Sequence, residues 1–314
     1  MLALCIEASH ARGMGHLYRS LVLAQALAAA GQDCLFLVND DPAACRILSQ
    51  KGHRFESVPL HANEAWEARI AASQQIDLWI NDRHVTDAAH AARVKALGIP
   101  LVTFDDRGPG SADADLHIAA MIVDPQEPVA GRRILRGFDY LVLNPEISRF
   151  RRLRTRPGST LVTLGGADTY GATVKVVKAL AAAGRPATVV VGPAFRYHEE
   201  LANAATPDFV IKNTVPSLIE EFSHHALAIT GGGVTPLEAC ASGLPCIVVA
   251  NEDFEGPIGR ALDRLGAARF AGHHTALDID LLSSALPIGD MSRNCLAAVP
   301  LHGVDRVVDA LLAL

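Results

Sequence analysis

Short apolar runs alternate with helical stretches along the whole chain, and this alternation limits the fold more than any other feature of the sequence. Six apolar runs in the first half are typical of buried parallel strands. They lie at residues 2–9, 33–40, 54–60, 77–83, 101–108 and 140–144. Helical stretches are predicted between them at 17–30, 64–75 and 86–97. Strands that alternate with helices predict a parallel sheet covered by helices on both faces.

The pattern stops at a basic segment and then starts again. Residues 149–159 are rich in arginine, contain Pro157-Gly158 and lack apolar periodicity, so we expect a linker there. Beyond it, strands are predicted at 160–166, 187–193, 208–213, 226–233 and 245–251, and helices at 170–183, 216–225 and 235–241. The sequence therefore predicts an α/β chain of two Rossmann-like domains facing a cleft, over residues 1–150 and 151–314.

The composition argues against several classes of protein. A net charge of −6 and a pI of about 6.1 leave no basic surplus, so a nucleic-acid partner is not expected. The six cysteines have no metal-ligand spacing, which predicts no metal site and favours a reducing, cytoplasmic location. Glu7 interrupts the first apolar run, so a signal peptide is not expected, and no apolar run approaches the ~18 residues of a membrane span. We expect no cofactor, and the sequence leaves the oligomeric state open.

Three glycine-rich loops follow predicted strands, where ligands bind in open α/β sheets. They lie at residues 10–16, 165–171 and 230–245. Glycine lets backbone N–H groups and the start of a helix approach an anion closely, so a diphosphate is the favoured ligand. The acidic pairs Asp113 and Asp115, and Asp278 and Asp280, are too common a pattern to indicate a metal site.

The first loop also suggests a dinucleotide dehydrogenase. That fingerprint needs a third glycine where this chain has Tyr18, although Asp40 or Asp41 could supply its ribose-binding acid. A P-loop is excluded because the sequence lacks its Gly-Lys-Ser/Thr ending.

The third loop precedes a predicted helix with polar residues at its start. Thr235 is predicted to cap this helix, and Pro236 fits its first turn. Glu238 either bonds the backbone of Thr235 in a capping box or contacts a ligand at the helix start. The pattern alone favours neither interpretation.

Two motifs, in order along the chain, resemble those of a known group of enzymes. Gly-x-Gly-His-x-x-Arg at 13–19 and Gly-Gly-Gly-x-Thr-x-x-Glu-x-x-x-x-Gly-x-Pro at 231–245 are similar to the nucleotide-sugar enzymes of the two-domain GT-B fold. Within that group the chain resembles the pseudaminic-acid pathway hydrolases, which release UDP from UDP-2,4-diacetamido-2,4,6-trideoxy-β-L-altropyranose. It looks equally similar to the spore-coat polysaccharide biosynthesis proteins. The similarity extends to residues 80–83, 102–110, 161–168, 215–233 and 248–253.

The resemblance implies a set of site residues. His16 would activate the water that attacks the anomeric carbon of the sugar. The residues implied to contact the nucleotide sugar are Gly13, Met14, Gly15, Arg19, His84, Gly165, Gly166, Val215, Gly232, Gly233, Thr235, Glu238, Asn251 and Glu252. Among these, the second-half glycine loop and Glu238 would hold the diphosphate and ribose, and Asn251 would face the sugar.

The chain departs from the hydrolase pattern at two of these positions. His84 stands where the family carries the tyrosine of an Asp-x-Tyr motif, and Glu252 stands where a glutamine tends to follow Asn251. Both positions are expected to touch the sugar, so the resemblance does not identify the sugar.

The position of His16 at a helix start suits a general base. The positive end of the helix disfavours imidazolium, so a neutral ring is available to accept a proton from water. The same helix end stabilises the departing diphosphate. An ordinary turn residue is the alternative for His16. Arg19, one turn further, either approaches a phosphate or carboxylate or is a solvated helix residue.

Three functions remain open. The first is a UDP-sugar hydrolase that releases UDP and a free amino-deoxy sugar in nonulosonic-acid or surface-glycan biosynthesis. The second is a GT-B glycosyltransferase that passes the sugar to an acceptor, for which the basic strip 149–156 is a candidate membrane-facing surface. The third is a non-catalytic nucleotide-sugar-binding subunit, which would have no need of His16.

Overall fold

The computed structural model describes residues 1–8, 14–60, 65–166 and 168–314. In these ranges the chain forms two compact units, the first comprising Met1–Leu143 and His302–Leu314 and the second Asn144–Leu301. Gly13, which the resemblance places among the substrate contacts, lies outside the described residues. None of the described helices has the length and apolar character needed to cross a membrane.

Within the described part of the chain, the first unit is built on a parallel seven-stranded sheet. Its strands are β1 (Leu2–Ile6), β2 (Cys34–Val38), β3 (Phe55–Ser57), β4 (Leu78–Asp82), β5 (Leu101–Phe104), β6 (Leu116–Ala119) and β7 (Ile134–Arg136). They lie in the order β3-β2-β1-β4-β5-β6-β7, and neighbouring strands are parallel. The order reverses between β1 and β4, which pair in register from Leu2–Leu78 to Ile6–Asp82.

Helices connect these strands in the described part of the chain. They are α1 (Gly15–Ala29), α2 (Pro42–Gln50), α3 (Glu67–Gln74) and α4 (Ala88–Ala96), with 3-10 turns at Pro109–Asp113 and Phe138–Tyr140. The sequence analysis missed α2. It begins where the Asp41 carboxylate accepts the amides of Ala43 and Ala44 at 3.0 and 2.9 Å, with Pro42 in the first turn. Asp41 is therefore a helix cap, which weakens the dehydrogenase interpretation.

The first unit differs from the prediction at its far edge. The sequence analysis missed β6 and β7, which have only four and three residues, and predicted a strand at 140–144. Residues 141–143 are buried but lie in irregular backbone. A Cβ on Gly303 would lie 2.2 Å from the carbonyl oxygen of Leu141, so this apolar run packs against a helix start instead of a strand.

The described residues of the second unit form a parallel six-stranded sheet. Its strands are β8 (Thr160–Thr163), β9 (Ala187–Val190), β10 (Val210–Lys212), β11 (Leu227–Gly231), β12 (Cys246–Ala250) and β13 (Ala268–His273). They lie in the order β10-β9-β8-β11-β12-β13, again with parallel neighbours and a reversal between β8 and β11. Its helices are α5 (Ile147–Phe150), α6 (Ala172–Ala182), α7 (His198–Ala204), α8 (Leu218–Phe222), α9 (Thr235–Ala241), α10 (Gly256–Arg264), α11 (Ile279–Ser283) and α12 (Ile288–Ala298), with a 3-10 turn at Asp253–Glu255.

The last helix, α13 (Gly303–Leu312), returns to the first unit. It contacts α1 and the 3-10 turn Phe138–Tyr140, and it buries Val307, Val308 and Leu311. The units therefore differ from the predicted domains 1–150 and 151–314. The boundary lies between residues 143 and 144, and residues 302–314 belong with the first half of the chain because the apolar face of α13 packs there.

Two arginines of the basic segment 149–159, Arg151 and Arg154, have structural roles. Arg151 donates to the carbonyl of Leu296 in α12 at 2.7 Å, and the buried Arg154 donates to the carbonyl of Phe222 in α8 at 2.9 Å. These side chains satisfy carbonyl groups that helix ends leave unpaired. Burial, followed by the charge of a neighbouring arginine, lowers the pKa of Arg154 to about 10. The segment has an irregular backbone, as predicted for a linker, but hydrogen bonds from Arg151 and Arg154 hold it against the second unit.

Candidate functional site

Each sheet reverses its strand order at one point, and ligands of open α/β sheets bind beside such a reversal. In the first sheet, the described residues that follow β1 and β4 are 7–8 and 83–87, and α1 starts at Gly15. In the second sheet, the described residues that follow β8 and β11 directly are 164–166 and 232–234. The predicted site residues of each unit are concentrated in these loops and in the helix starts that follow.

His16, in the first turn of α1, is held by Asp82, the last residue of β4. Its Nδ1 lies 2.6 Å from Oδ1 of the buried Asp82. The other carboxylate oxygen of Asp82 accepts bonds from Arg19 Nε at 2.9 Å and from Ser20 Oγ at 3.0 Å. A second nitrogen of Arg19 also donates to Asp82. A carboxylate anchored in this way has little freedom to turn, so it fixes the orientation of the His16 ring.

Arg19 uses all three guanidinium nitrogens on protein carboxylates. Besides its bonds to Asp82, Nη1 donates to Asp105, which follows β5. Asp105 has a left-handed backbone with φ of 46°, and its other carboxylate oxygen accepts the Met121 amide at 2.6 Å. Phe104 lies under the guanidinium, 5.4 Å from the ring centroid. Arg19 is therefore neither a solvated residue nor open to a phosphate in this structure, and its direct role is to position Asp82.

The charges of this cluster keep Asp82 ionised. Burial opposes ionisation, but the Arg19 guanidinium and then His16 hold the pKa of the Asp82 carboxyl well below its usual range. Likewise, burial opposes the charge of Arg19, but Asp82 and Asp105 raise the pKa of Arg19. An ionised Asp82 accepts a hydrogen bond from Nδ1 of His16, which then carries the proton. The basic nitrogen of His16 is then Nε2.

His84 lies beside His16, with ring centroids 4.4 Å apart and ring planes at 82°. Although His84 is partly exposed, burial of its ring, followed by the charge of His16, lowers the pKa of His84. Met14 precedes α1 and makes no side-chain capping bond, and a Cβ on Gly15 would meet nothing within 4 Å. Of the predicted residues in the first unit, the structure therefore brings His16, Arg19 and His84 together.

The loop after β8 does not leave its helix start open. Asp168 accepts the amides of Ala172 and Thr173, the first residues of α6, both at 2.8 Å. Gly165 has a φ of +99°, a backbone conformation that favours glycine. Because the first amides of α6 are bonded to the carboxylate of Asp168, these amides are not available to bind an anion near Gly165 and Gly166.

The helix after β11 starts differently. It begins at Thr235 and ends at Ala241, as predicted, and Pro236 occupies its first turn. The capping position is Val234, so the prediction that Thr235 caps the helix is wrong, because Thr235 already lies inside it. Among the described residues, no side chain caps this helix start. Val215 lies in another loop, between β10 and α8, and is half-buried.

Glu238 is a desolvated carboxyl group in the first turn of α9. Burial raises the pKa of Glu238 to about 7. No capping box with Thr235 is formed. Among the described residues no hydrogen bond contributes to this shift, so the carboxyl group is able to accept hydrogen bonds from a ligand. The structure therefore favours the ligand interpretation of Glu238 over the capping interpretation.

Gly232 is adjacent to the carboxylate of Glu255. A Cβ at Gly232 would lie 2.6 Å from the Cβ of Glu255, which explains the glycine. The Glu255 carboxylate accepts the amides of Gly232 at 3.3 Å and Asn251 at 2.7 Å, and burial raises the pKa of Glu255. A Cβ at Gly233 would meet Glu255 only at 3.7 Å. The amide of Gly232 is thus already bonded, and an anion at this loop would be held by the turn that follows it.

Asn251 links the ends of two strands. Its Nδ2 donates at 3.2 Å to the carbonyl of Leu164, just beyond β8. Its Oδ1 is buried and has no hydrogen-bond partner in the described ranges, so it is available to a donor on a ligand. Glu252, the next residue, caps the 3-10 turn that follows and accepts the hydroxyl of Tyr170 at 3.2 Å.

The sequence analysis missed the acids that organise these loops. Asp82 ends a buried strand and Asp105 follows one, and a polar residue at that point of an apolar run was a signal that could have identified both. Asp168 and Glu255 bond backbone amides of residues that the folded loops bring close to them, and the sequence pattern does not reveal these contacts.

One member of each acidic pair considered in the sequence has a structural partner. Asp115 accepts the Leu101 amide at 2.9 Å, and Asp278 caps α11 through the Leu281 amide at 3.0 Å. In the described part of the chain, no group of three His, Cys, Asp or Glu side chains is arranged to hold a metal ion.

No protein-family model matches the chain, but two curated proteins are similar to it. The uncharacterized protein MJ1062 of Methanocaldococcus jannaschii is 25% identical over 277 residues, which are 81% of this chain and 56% of that protein. The chain therefore spans little more than half the length of that relative. The spore coat polysaccharide biosynthesis protein SpsG of Bacillus subtilis is 25% identical over 281 residues, which are 83% of this chain and 80% of that protein.

Solved structures resemble the chain over its whole length. MurG of Acinetobacter baumannii gives a TM-score of 0.74 at 15% identity, covering 100% of this chain and 99% of that one. The glycotransferase of kitacinnamycin gives 0.68 at 16% identity, covering 99% and 98%. The glycosyltransferase VinC, solved in complex with DTDP, gives 0.61 at 19% identity, covering 99% and 100%. At these identities the likeness shows the fold, and the predicted α/β fold of the GT-B type is confirmed.

Proposed function

We propose that the chain is an enzyme acting on a nucleotide sugar, and specifically a hydrolase that releases UDP and a free amino-deoxy sugar. The observation that carries the proposal is the bond between His16 and Asp82 at the carboxyl edge of the first sheet, 2.6 Å long. It leaves Nε2 of His16 as a basic nitrogen, oriented by a carboxylate that Arg19 keeps ionised. This is the arrangement of a general base with its orienting acid.

In the proposed reaction, the oxygen of a water molecule attacks the anomeric carbon of the sugar. The bond from that carbon to the β-phosphate oxygen breaks, and its electron pair leaves with UDP. Nε2 of His16 takes a proton from the attacking water. Asp82 stabilises the imidazolium that forms. The products are UDP and a free sugar, and the balance requires no oxidant, reductant or cofactor.

We assign the nucleotide to the second unit. No described side chain caps the start of α9, so its positive helix end would face the diphosphate. Pro236 has no N–H and the amides of Leu237 and Glu238 bond the carbonyl of Val234, so the backbone donors would be the amides that precede Pro236. Glu238 would accept ribose hydroxyls, and Oδ1 of Asn251 would accept a donor of the sugar. The name of the Bacillus subtilis relative supports a role in surface-glycan biosynthesis. A sugar of the nonulosonic-acid route is part of the proposal on the strength of the motif resemblance.

A glycosyltransferase is the second candidate, because the same base would serve by deprotonating an acceptor hydroxyl instead of water. The basic strip 149–156 suggested a membrane-facing surface for a lipid acceptor. Two of its arginines, Arg151 and Arg154, are bonded to helix carbonyls within the second unit, so the strip supports this candidate less than its sequence suggested.

Incubation with nucleotide sugars in water labelled with oxygen-18 tests both candidates. The substrates are UDP-GlcNAc, UDP-GalNAc, UDP-glucose and UDP-2,4-diacetamido-2,4,6-trideoxy-β-L-altropyranose, each with and without sugar and glycolipid acceptors. A hydrolase releases UDP without an acceptor and places one labelled oxygen in the sugar and none in UDP. Release of UDP only in the presence of an acceptor identifies a transferase. No release under any condition contradicts both.

A further inference from the structure

Two exposed aromatic side chains lie in loops at the carboxyl edge of the second sheet. Aromatic residues are only 5% of the chain, and among the described residues three are strongly exposed: Tyr18 at 54%, Tyr170 at 42% and Phe254 at 53%. Tyr170 lies between β8 and α6, and Phe254 lies in the 3-10 turn after β12. Both therefore lie at the carboxyl edge of the second sheet. Large aromatic rings left at a surface are typical of binding sites, because ligand contact then buries them.

Tyr170 is held on two sides. Its ring stacks on the ring of His274, with centroids 4.2 Å apart and 13° between the planes. Its hydroxyl donates to Oε1 of Glu252 at 3.2 Å. His274 follows β13, and its carbonyl accepts a bond from Lys175 Nζ at 2.9 Å. Tyr170 has therefore lost its rotamer freedom before any ligand binds, which lowers the entropic cost of stacking against it.

The position of Tyr170 relates it to the sugar end of the proposed ligand. Glu255 bonds the amide of Gly232, in the loop before α9, and also the amide of Asn251. Asn251 is followed directly by Glu252, which holds Tyr170. A short chain of hydrogen bonds thus leads from the proposed diphosphate loop to the tyrosine. Glu238, proposed to bind ribose, lies further along α9 and is not part of this chain of bonds.

We propose that Tyr170 is a stacking platform for the pyranose ring of the nucleotide sugar, a specificity-determining role that rests on the proposed function. The C–H face of the sugar packs on the exposed face of the ring. Glu252 offers only acceptor oxygens as a carboxylate, so it accepts a hydroxyl, amide or ammonium hydrogen of the same sugar. The pair therefore selects a pyranose with one apolar face and a hydrogen-bond donor at its edge.

Calorimetric titration of UDP and UDP-GlcNAc separates the sugar contribution from the nucleotide contribution. Tyr170→Ala should weaken UDP-GlcNAc binding by about three- to tenfold and leave UDP binding nearly unchanged. Tyr170→Phe, which keeps the ring but loses the bond to Glu252, should weaken UDP-GlcNAc binding less. Leu265→Ala removes an exposed apolar side chain of the same unit, at the far end of α10, and should change neither affinity. Melting curves establish that each variant is folded.

Each outcome bears on the proposal. A selective loss of UDP-GlcNAc affinity in Tyr170→Ala supports the sugar platform. Equal weakening of UDP and UDP-GlcNAc places Tyr170 on the nucleotide and contradicts it, and unchanged affinity for both contradicts it as well. A wild-type protein that binds neither ligand contradicts the proposed function itself, which distinguishes that failure from a failure of the platform alone.

Discussion

Asp82 and Arg19 together decide which nitrogen of His16 is basic. The carboxylate of Asp82 accepts from Nδ1 of His16, and it remains ionised because the guanidinium of Arg19 lies against it. Arg19 in turn is fixed by a second carboxylate, Asp105. The orientation of one ring therefore depends on residues of α1, β4 and the turn after β5. A sequence motif that ends at Arg19 contains only half of this arrangement.

Replacement of the proposed base tests this cluster directly. His16→Ala should lower UDP release by about 10²–10⁴-fold, the usual contribution of a general base, and leave UDP affinity unchanged. The affinity is preserved because the proposed nucleotide contacts lie in the second unit. Turnover assays and calorimetric titration check the two parts. His302→Ala, at an exposed histidine of the first unit, is the control and should keep full turnover. A His16→Ala protein that keeps more than about a third of wild-type turnover would rule out the base.

Asp82→Asn should lower turnover by about a hundredfold or more with little effect on UDP affinity. Asparagine keeps the size of the side chain but removes the charge that holds Arg19 and stabilises imidazolium. Removal of one partner of a buried ion pair also destabilises the fold, so turnover is measured well below the melting temperature of the variant. Ser20→Ala, which removes only the 3.0 Å hydroxyl bond to Asp82, is the matched control and should cost less than about tenfold. Full turnover in Asp82→Asn would mean that Asp82 does not orient the base.

At the scale of elements, the second and third glycine-rich loops precede helices that differ in how their first turns are capped. The first amides of α6 are bonded to Asp168, whereas no described side chain caps α9. The sequence predicted the bounds of α9, with Pro236 in its first turn, and the structure shows that Gly243, with a φ of +79°, follows its end. It could not predict which helix start is capped. The carboxylate of Asp168 contacts the first amides of α6 because Asp168 and Gly171 both have a left-handed backbone, which the sequence alone does not indicate.

The missed elements have a similar explanation. β6 and β7 are too short to show a periodic apolar run, and α2 starts at Asp41, which the sequence analysis considered only as a ribose-binding acid of the dehydrogenase alternative. Conversely, the run 140–144 is apolar and buried, but its partner is a helix start far along the chain. Periodicity reports that a segment is buried, and it does not report the partner that buries it.

The stability of the α9 region should depend on pH through Glu238. Its pKa is about 7 in the folded protein, compared with 4.5 for an ordinary glutamate. The folded state therefore binds this proton more tightly, so the contribution of Glu238 to stability is greatest below pH 4.5, falls as the pH rises through 7 and is constant above. Glu238→Gln should raise the melting temperature at pH 8 and leave it nearly unchanged at pH 4.5 or below. Melting curves at the two pH values check this, and a lower melting temperature at pH 8 would indicate a stabilising bond to the carboxylate.

The same substitution should weaken nucleotide binding. If Glu238 accepts ribose hydroxyls as a carboxylate, Glu238→Gln exchanges a charged acceptor for a neutral one. UDP affinity at pH 8 should then fall by about ten- to a hundredfold. In the wild type, UDP affinity should rise with pH through 7, where the carboxyl ionises, and this dependence should be weaker in the variant, in which only the terminal phosphate of UDP ionises near this pH. Unchanged affinity in Glu238→Gln would remove this residue from the site.

The whole molecule repeats one topology. Both sheets place their first three strands in reverse order and continue from the first strand in the other direction, and each unit has its own apolar core. The alternation of strands and helices was sufficient to predict two α/β halves. It was not sufficient to predict that the chain passes between the units a second time, before His302. The sequence of α13 shows an apolar face, but it does not identify the helix that this face covers.

Two adjacent leucines of α13 allow a test of this second passage. Leu311 is 2% exposed and Leu312 is 48% exposed, so the two substitutions to alanine remove the same atoms from a buried and an open position. Leu311→Ala should destabilise the first unit by about 2–5 kcal/mol, as expected for a cavity in a core. Leu312→Ala should stay within about 0.5 kcal/mol of the wild type.

Hydrogen exchange should speed up in α1 of the Leu311→Ala protein, because α13 contacts α1, while amides of α9 and α12 keep their protection. UDP affinity should be the same in both variants, since the proposed nucleotide contacts lie in the second unit. Faster exchange confined to α12, with α1 unchanged, would instead assign the last helix to the second unit.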